Sequence, residues 1–271
     1  GDCMSSLIFH HLKEKGKEFV SKLMRSKPLY LFFIGSTMTS TIPGISIAGA
    51  TPELTLYTPA CDIEYLASGS PKSLSVIPVT PEGIPTPALI TRACIKNTDA
   101  PFLIVDCGSY IEPKVPHIHL PSKCVGGNIG TGKALSYDSV KALINEAASL
   151  ASMISRTSNM FIIGESIPGG TTTALGILTA LGYNAFGKVS SASPENPHEL
   201  KKKVVERGIA NAEKDPLKAI SSLGDPVHIS MAGFISKAIE NSRILLAGGT
   251  QMVAVLAIAK LLGADLSNRV A

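Results

Sequence analysis

Ten consecutive residues, Gly164-Glu165-Ser166-Ile167-Pro168-Gly169-Gly170-Thr171-Thr172-Thr173, gather one carboxylate, a run of hydroxyls and three glycines. They follow a short apolar run, Met160–Ile163, and precede an apolar segment that reads as helix to about Leu181. Glycines let a backbone approach a ligand closely, and free amides at a helix start attract an anion, helped by the helix dipole. With the threonine hydroxyls as further donors, the stretch reads as a phosphate cradle. A glycine-rich turn with threonine caps is the plainer alternative. Glu165 is then either a ligand to a ribose hydroxyl or a basic nitrogen, or an acid favoured by the dipole.

Other candidates are weaker. Gly127-Asn128-Ile129-Gly130-Thr131-Gly132-Lys133 fits the first seven positions of a nucleoside-triphosphate loop, but Ala134 stands where the magnesium-ligating hydroxyl belongs. His117 and His119 form a His-x-His pair with no Cys or carboxylate cluster in sequence, so no metal is expected. No GxSxG elbow occurs, which removes the serine-hydrolase class on pattern. Lys201, Lys202 and Lys203 sit in the first turns of an expected helix, where the dipole disfavours cations. They form a solvated face, or one of them reaches a phosphate. Five cysteines (Cys3, Cys61, Cys94, Cys107, Cys124) without a CxxC pair read as incidental thiols rather than a disulfide or zinc framework.

The elements that must position these residues follow from periodicity. Ser5–Met24 reads as an amphipathic helix. Tyr30–Ile34 is a buried strand ending at Gly35-Ser36-Thr37. Residues 42–90 are rich in Pro and Gly, with extended pieces at Leu54–Tyr57 and Leu74–Ile77 and no continuous helix before Ala88. Phe102–Val105 is a strand, Tyr137–Ser155 a long helix capped by Ser136, and Met160–Ile163 a strand. Asn196-Pro197-His198-Glu199 reads as a capping box opening a helix through about Ala212. Helix follows near Val227–Glu240, strand at Ile244–Leu246, and helix over Gln251–Leu262.

Short apolar strands alternating with helices imply an α/β fold, a Rossmann-like parallel sheet with helices on both faces. The N-terminal helix forms a small satellite, so the division is 1–28 and 29–271. Ligands of such sheets sit beyond the carboxyl ends of the strands. The loops leaving those ends are Gly35–Ser40, Asp106–Ser109, Gly164–Thr173 and Ala247–Thr250.

The 271 residues are 45% hydrophobic and 17% charged, which supports a sizeable core and excludes wholesale disorder. A net charge of +4, with no basic run interleaved with aromatics, disfavours nucleic acid as a partner. No stretch reaches the roughly 18–20 apolar residues that cross a bilayer. The N-terminus lacks a signal-peptide core, and Gly1-Asp2-Cys3 before Met4 is an unusual opening given no structural weight. A cytoplasmic protein with no membrane partner is expected.

The ordered set of motifs resembles the nicotinate-mononucleotide:5,6-dimethylbenzimidazole phosphoribosyltransferase family of cobalamin assembly, in its archaeal branch. The likeness spans about residues 30–262. It rests on Gly164–Thr172, Gly127-Asn128-Ile129, Lys201 with Val204-Val205, Met231-Ala232-Gly233 and Leu245–Thr250. Thr80–Pro87, Lys188–Ser191 and Asn196–Leu200 carry the archaeal likeness. The bacterial turn has Asn at the place of Gly170 and an acid at the place of Ala247.

The resemblance implies transfer of ribose 5-phosphate from nicotinate mononucleotide to a benzimidazole or purine-type base, with inversion at the anomeric carbon and no cofactor. It assigns Glu165, Gly169, Gly170, Thr171 and Thr172 to the donor, Lys201 to its phosphate, and Gly248 and Gly249 to the ribose or nicotinate. The acceptor pocket falls around Thr80–Thr86, and a homodimer is implied. The family's general base is a Glu in a Gly-rich segment far toward the C-terminus, and nothing up to Ala271 matches it, so Glu165 is only a stand-in. The alternatives are a non-catalytic module that binds a nucleotide or phosphate, and a dinucleotide-binding oxidoreductase. For the latter, Gly130-Thr131-Gly132 lacks its third glycine.

Overall fold

The computed structural model describes residues 7–271 except 192 and 194. The expected helix start at Ser5, the Gly1-Asp2-Cys3 opening and the first six residues of the 1–28 segment lie outside the described residues. Five strands form one parallel sheet: β1 (Leu29–Gly35), β2 (Phe102–Gly108), β3 (Ile118–His119), β4 (Met160–Ser166) and β5 (Arg243–Leu246). Their spatial order is β3-β2-β1-β4-β5. The chain runs outward from β1 to one edge, returns, and builds the other half from β4. The topological switch therefore falls between β1 and β4, where open α/β sheets form a crevice at the strand ends.

The helices are α1 (Lys13–Met24), α2 (Thr58–Ser68), α3 (Ala88–Thr98), α4 (Tyr137–Ile154), α5 (Gly170–Ala180), α6 (His198–Ile209), α7 (Pro216–Leu223), α8 (Pro226–Ala238) and α9 (Gln251–Leu261). The strands are buried on both faces, so side-chain alternation splits the core in two. Leu31, Phe33, Val105, Phe161 and Ile163 point into the large core with α4, α5, α8 and α9. Within it Phe234 stands edge-on to Phe33 and Phe161, with ring centres 5.6 and 5.5 Å apart. Ile34 and Ile104 point the other way, into a smaller cluster with Ile63 and Leu66 of α2 and Ile95 of α3. The expected parallel sheet with helices on both faces is the observed architecture.

Several local expectations fail, each for a physical reason. Helix occurs at Thr58–Ser68, inside the Pro-rich region read as non-helical. Pro59 lies in the first turn, where its missing N–H costs nothing, and Gly69 ends the helix at φ 87°. Leu54–Tyr57 is not extended but mostly a 3-10 turn, Glu53–Leu56. Among the described residues Leu74–Ile77 joins no strand, and an isolated Val79–Pro85 bridge lies nearby. Helix α1 begins at Lys13, and residues 7–12 of the expected helix are not helical. Leu7, Ile8 and Leu12 of its expected apolar stripe are exposed and only Phe19 is buried, so no packing holds an earlier turn. Helix α7 was not expected; Asp215 caps it by accepting from the Lys218 amide.

Candidate functional site

Strand β4 delivers Glu165 and Ser166 to the carboxyl edge of the sheet, and the chain turns through Ile167, Pro168 and Gly169 into α5. Gly169 adopts φ 80°, and a Cβ there would press on the Ser40 backbone at 3.2–3.3 Å, so the turn requires glycine. It thereby closes the β4 loop against the loop that leaves β1. The two loops, with α2, α3 and the Thr80–Thr86 segment, enclose a cavity of about 580 Å³ at the β1/β4 switch point. Glu165, Gly169, Gly170 and Thr171 line one side, with Ala247 and Gln251 beside them. Phe32, Ile45, Ile63, Leu66, Ile90 and Ile95 make much of the opposite wall apolar. Thr80, Pro85 and Thr86 also line it, so the segment expected to hold the acceptor faces the expected donor loop.

Two carboxyls face this space. Glu165 Oε2 accepts from the Ile167 amide at 3.0 Å, and Oε1 accepts from Gln251 Nε2. Burial pushes its pKa up to about 7, opposed by the nearby His228 charge and the Ile167 hydrogen bond. Asp62, from the unforeseen α2, accepts from Thr86 Oγ1 at 2.7 Å and Ser166 Oγ at 2.8 Å. Burial raises it to about 6 against those two hydrogen bonds. Both groups change charge near neutrality, the range useful for proton transfer.

Behind Glu165 lies a line of buried polar side chains. Gln251 Oε1 is 2.8 Å from His228 Nε2. His228 Nδ1 is 2.7 Å from Asp225 Oδ2, close in distance but off the ring N–H direction. Asp225 caps α8 through the Val227 and His228 amides at 2.8 and 2.9 Å, and accepts from Thr173 Oγ1 at 2.7 Å. Burial pushes Asp225 up, but the His228 charge and these bonds outweigh it and hold the pKa below the usual carboxylate value. Burial pushes His228 down, and the Asp225 charge and hydrogen bonding more than offset that, so its pKa lies above the usual histidine value. The helix expected near Val227 starts at Pro226 behind the Asp225 cap, a signal not used in that expectation, and nothing in the sequence joins His228 to Gln251 and Glu165.

The remaining expected site residues lie off the cavity. Thr172 is fully buried and its hydroxyl has no hydrogen-bond partner among the described residues. The Gly170, Thr172 and Thr173 amides donate to Ile167 and Gly169 carbonyls within the turn, so fewer amides are free than a bare helix start would offer. Lys201 is 0% exposed, which overturns the solvated-face reading at this position. Its Nζ donates to the Ser190 carbonyl at 2.9 Å and to Asn196 Oδ1 at 3.1 Å. Burial lowers its pKa to about 8. Asn196 therefore serves the lysine, and the expected capping box does not form, α6 having no side-chain cap. Gly248 and Gly249 are exposed beside the 188–196 loop, where Thr250 Oγ1 bonds the Ser190 amide and hydroxyl, both at 2.8 Å. Ser191, one residue on, reaches the cavity.

The His-x-His pair does have a carboxylate neighbour: the β2–β3 loop brings Glu112 Oε1 to 2.8 Å from His117 Nε2 and 3.9 Å from His119 Nδ1. The Lys123 ammonium contacts both Glu112 and Asp106, so this carboxylate already has a cation. Asp106, at the end of β2, is a structural anchor accepting from the Gly108 and Ser109 amides at 2.9 and 2.7 Å. The four described cysteines are free thiols, and burial pushes Cys61 up to about 12.

Taken together, the sheet order, the switch-point cavity and the glycine-threonine turn define an α/β enzyme of the nucleotide-handling type. A model of the family described as "Phosphoribosyltransferase" matches residues 90–269. The chain is 48% identical over 251 residues to a UPF0284 protein of Aeropyrum pernix, covering 91% of this chain and 70% of that one. It is 50% identical over 238 residues to a UPF0284 protein of Pyrobaculum aerophilum, covering 87% and 69%. Its fold is similar to nicotinate-nucleotide-dimethylbenzimidazole phosphoribosyltransferase of Thermus thermophilus, with a TM-score of 0.68 at 16% identity over 90% of this chain and 67% of that one. A structure titled CobT from the same organism gives 0.69 at 16% identity, over 96% and 74%. The chain belongs to this phosphoribosyltransferase family and is a glycosyltransferase-type enzyme, as the motif set implied. Among the described residues no helix is long and apolar enough to cross a membrane.

Proposed function

We propose that the cavity binds nicotinate mononucleotide beside Glu165 and the Gly169–Thr171 turn, and a benzimidazole or purine-type base against the apolar wall. The observation that carries this reading is the pairing, in one cavity, of a carboxylate with a helix N-terminus on one side and an apolar slot on the other. In the reaction the bond between the anomeric carbon and the nicotinate nitrogen breaks, and its electron pair leaves with nicotinate. A nitrogen of the base forms the new bond from the opposite face, and the product is an α-riboside phosphate. Positive charge grows on the ribose as nicotinate departs, and an ionised Glu165 is close enough to the donor subsite to stabilise it. The proton released by the attacking base needs an acceptor. Asp62, on the acceptor side of the cavity, has both the location and a pKa near neutrality. The phosphate anchors the ribose through the α5 N-terminus, so its binding energy orients the reacting carbon.

Release of nicotinate from nicotinate mononucleotide in the presence of 5,6-dimethylbenzimidazole, followed by chromatography, tests the proposal. Base-dependent release that falls at least about a hundredfold in Glu165→Gln supports it. Tight donor binding without release would instead leave a nucleotide-binding module. A cytoplasmic homodimer completes the proposal, and analytical ultracentrifugation tests the dimer.

A further inference from the structure

We propose that Gln251 and His228 are positioning residues, forming a line of side chains from the α8 cap Asp225 to Glu165 that fixes the Glu165 carboxylate on the cavity wall as an acceptor. The role of Glu165 toward the donor rests on the function proposed above; the line itself rests on geometry.

The polarity of the line is determined by its two ends. Asp225 is fully buried, and its oxygens take donors from the Val227 and His228 amides and from Thr173. An ionised Asp225 beside a buried imidazole favours the imidazolium, in which both ring nitrogens carry a proton. His228 Nε2 then donates to Gln251 Oε1. That choice turns the Gln251 amide nitrogen toward Glu165, where it donates to Oε1. Oε2 is already held by the Ile167 amide. Each carboxylate oxygen thus has one protein donor and keeps a second lone pair for a ligand.

A second observation supports the same arrangement. Gly170 lies beside Gln251, and a Cβ on it would run into Gln251 Oε1 and lie 2.8 Å from Ile167 Cγ2. The turn therefore leaves room for the glutamine at the position where the bacterial pattern has a side chain. The amide fills that room and reaches the carboxylate.

The charged and titratable groups around Glu165 are His228 and Asp225 from α8 and Asp62 from α2, while Gln251 from α9 is neutral. Around His228 they are Asp225 and Glu165. The Cys107 thiol of β2, near Asp225, is pushed well above its usual value by burial and stays uncharged. Of these groups, only His228 contributes positive charge.

The test is a carboxyl-carbon NMR titration of the whole chain labelled at glutamate, with the Glu165 signal assigned by its loss in Glu165→Gln. In the wild type the midpoint falls near pH 7. Gln251→Met keeps the volume and removes the donor, and it moves the midpoint up by about one pH unit. At pH 6 it weakens nicotinate mononucleotide binding about tenfold, with little loss at pH 9. An unchanged midpoint in folded Gln251→Met overturns the proposal. A shifted midpoint with donor binding that ignores Glu165→Gln upholds the line and overturns the donor reading. Should Gln251→Met not fold, imidazole nitrogen shifts of the wild type decide. Both His228 nitrogens protonated at pH 7 supports the proposal, and a neutral ring overturns it.

Discussion

Lys201 offers the sharpest test of where the donor phosphate lies. Its ammonium is held by the Ser190 carbonyl and the Asn196 amide oxygen and, among the described residues, by no carboxylate. Burial without a counter-charge brings its pKa from 10.5 to about 8. A phosphate dianion reaching this amine would restore the ordinary value. At pH 8.5 the free protein then holds only about a quarter of a proton on Lys201, and the bound protein holds nearly one. A donor phosphate on Lys201 would therefore make binding of nicotinate mononucleotide take up about three quarters of a proton. A phosphate on the α5 N-terminus, with Lys201 off the cavity, gives almost none, and that is the outcome expected. Glu165, already ionised at that pH, adds almost nothing. The assay is calorimetric titration at pH 8.5 in two buffers of different ionisation enthalpy, whose slope gives the proton count. Lys201→Met should leave both the proton count and the affinity unchanged. An uptake near about three quarters of a proton that Lys201→Met abolishes would refute this placement and put the phosphate at Lys201. Stability supplies an independent check. Between pH 8 and 10.5 the unfolded lysine holds a proton that the folded one has lost. Folding therefore strengthens as pH rises through that window, by up to roughly 3 kcal/mol, and Lys201→Met removes the rise.

Thr172→Val replaces a buried, unpartnered hydroxyl by a methyl of the same shape; it should stabilise the fold by about 1 kcal/mol in urea titration and leave donor affinity unchanged. Thr171→Val, whose side faces the cavity, should weaken donor binding several-fold in the same calorimetric assay. Asp62 keeps its proton to about pH 6 when folded against an ordinary 3.8. The folded state thus binds the extra proton between those values, and stability falls as pH rises through them. Asp62→Asn should raise Tm at pH 7.5, by an equivalent of about 1–3 kcal/mol, and not at pH 3.5. Phe234→Ala removes the ring that packs edge-on to Phe33 and Phe161 and should cost about 3–5 kcal/mol in the same denaturant measurement.

The strands and crossover helices were legible because burial imposes a pattern on the chain. Strands β1, β2, β4 and β5 are continuous apolar runs, as strands covered on both faces must be. Helix α4 was legible for the opposite reason: one apolar stripe and a Ser136 cap that accepts from the Ser139 amide. Helix α2 was hidden because its first-turn proline reads as a breaker unless its position in the helix is known. The glycine-threonine turn was legible for its composition, since Gly169 at positive φ and the strand-to-helix grammar are local properties.

Sequence alone therefore determined the parallel α/β class and the glycine-threonine turn at the end of β4, which depend on neighbours in the chain, and the family to which the chain belongs, which depends on the order of its motifs. Tertiary structure decided which members of that turn face the cavity, that Thr172 is sealed and that Lys201 is buried. It also joined Asp62 to Thr86 and Ser166, and Asp225 and His228 through Gln251 to Glu165. These residues lie on different elements, 24 to 104 positions apart for the two Asp62 bonds and 86 for the glutamine–glutamate contact. A hydrogen bond acts over about 3 Å, and no periodicity along a chain encodes which distant side chains packing will bring that close.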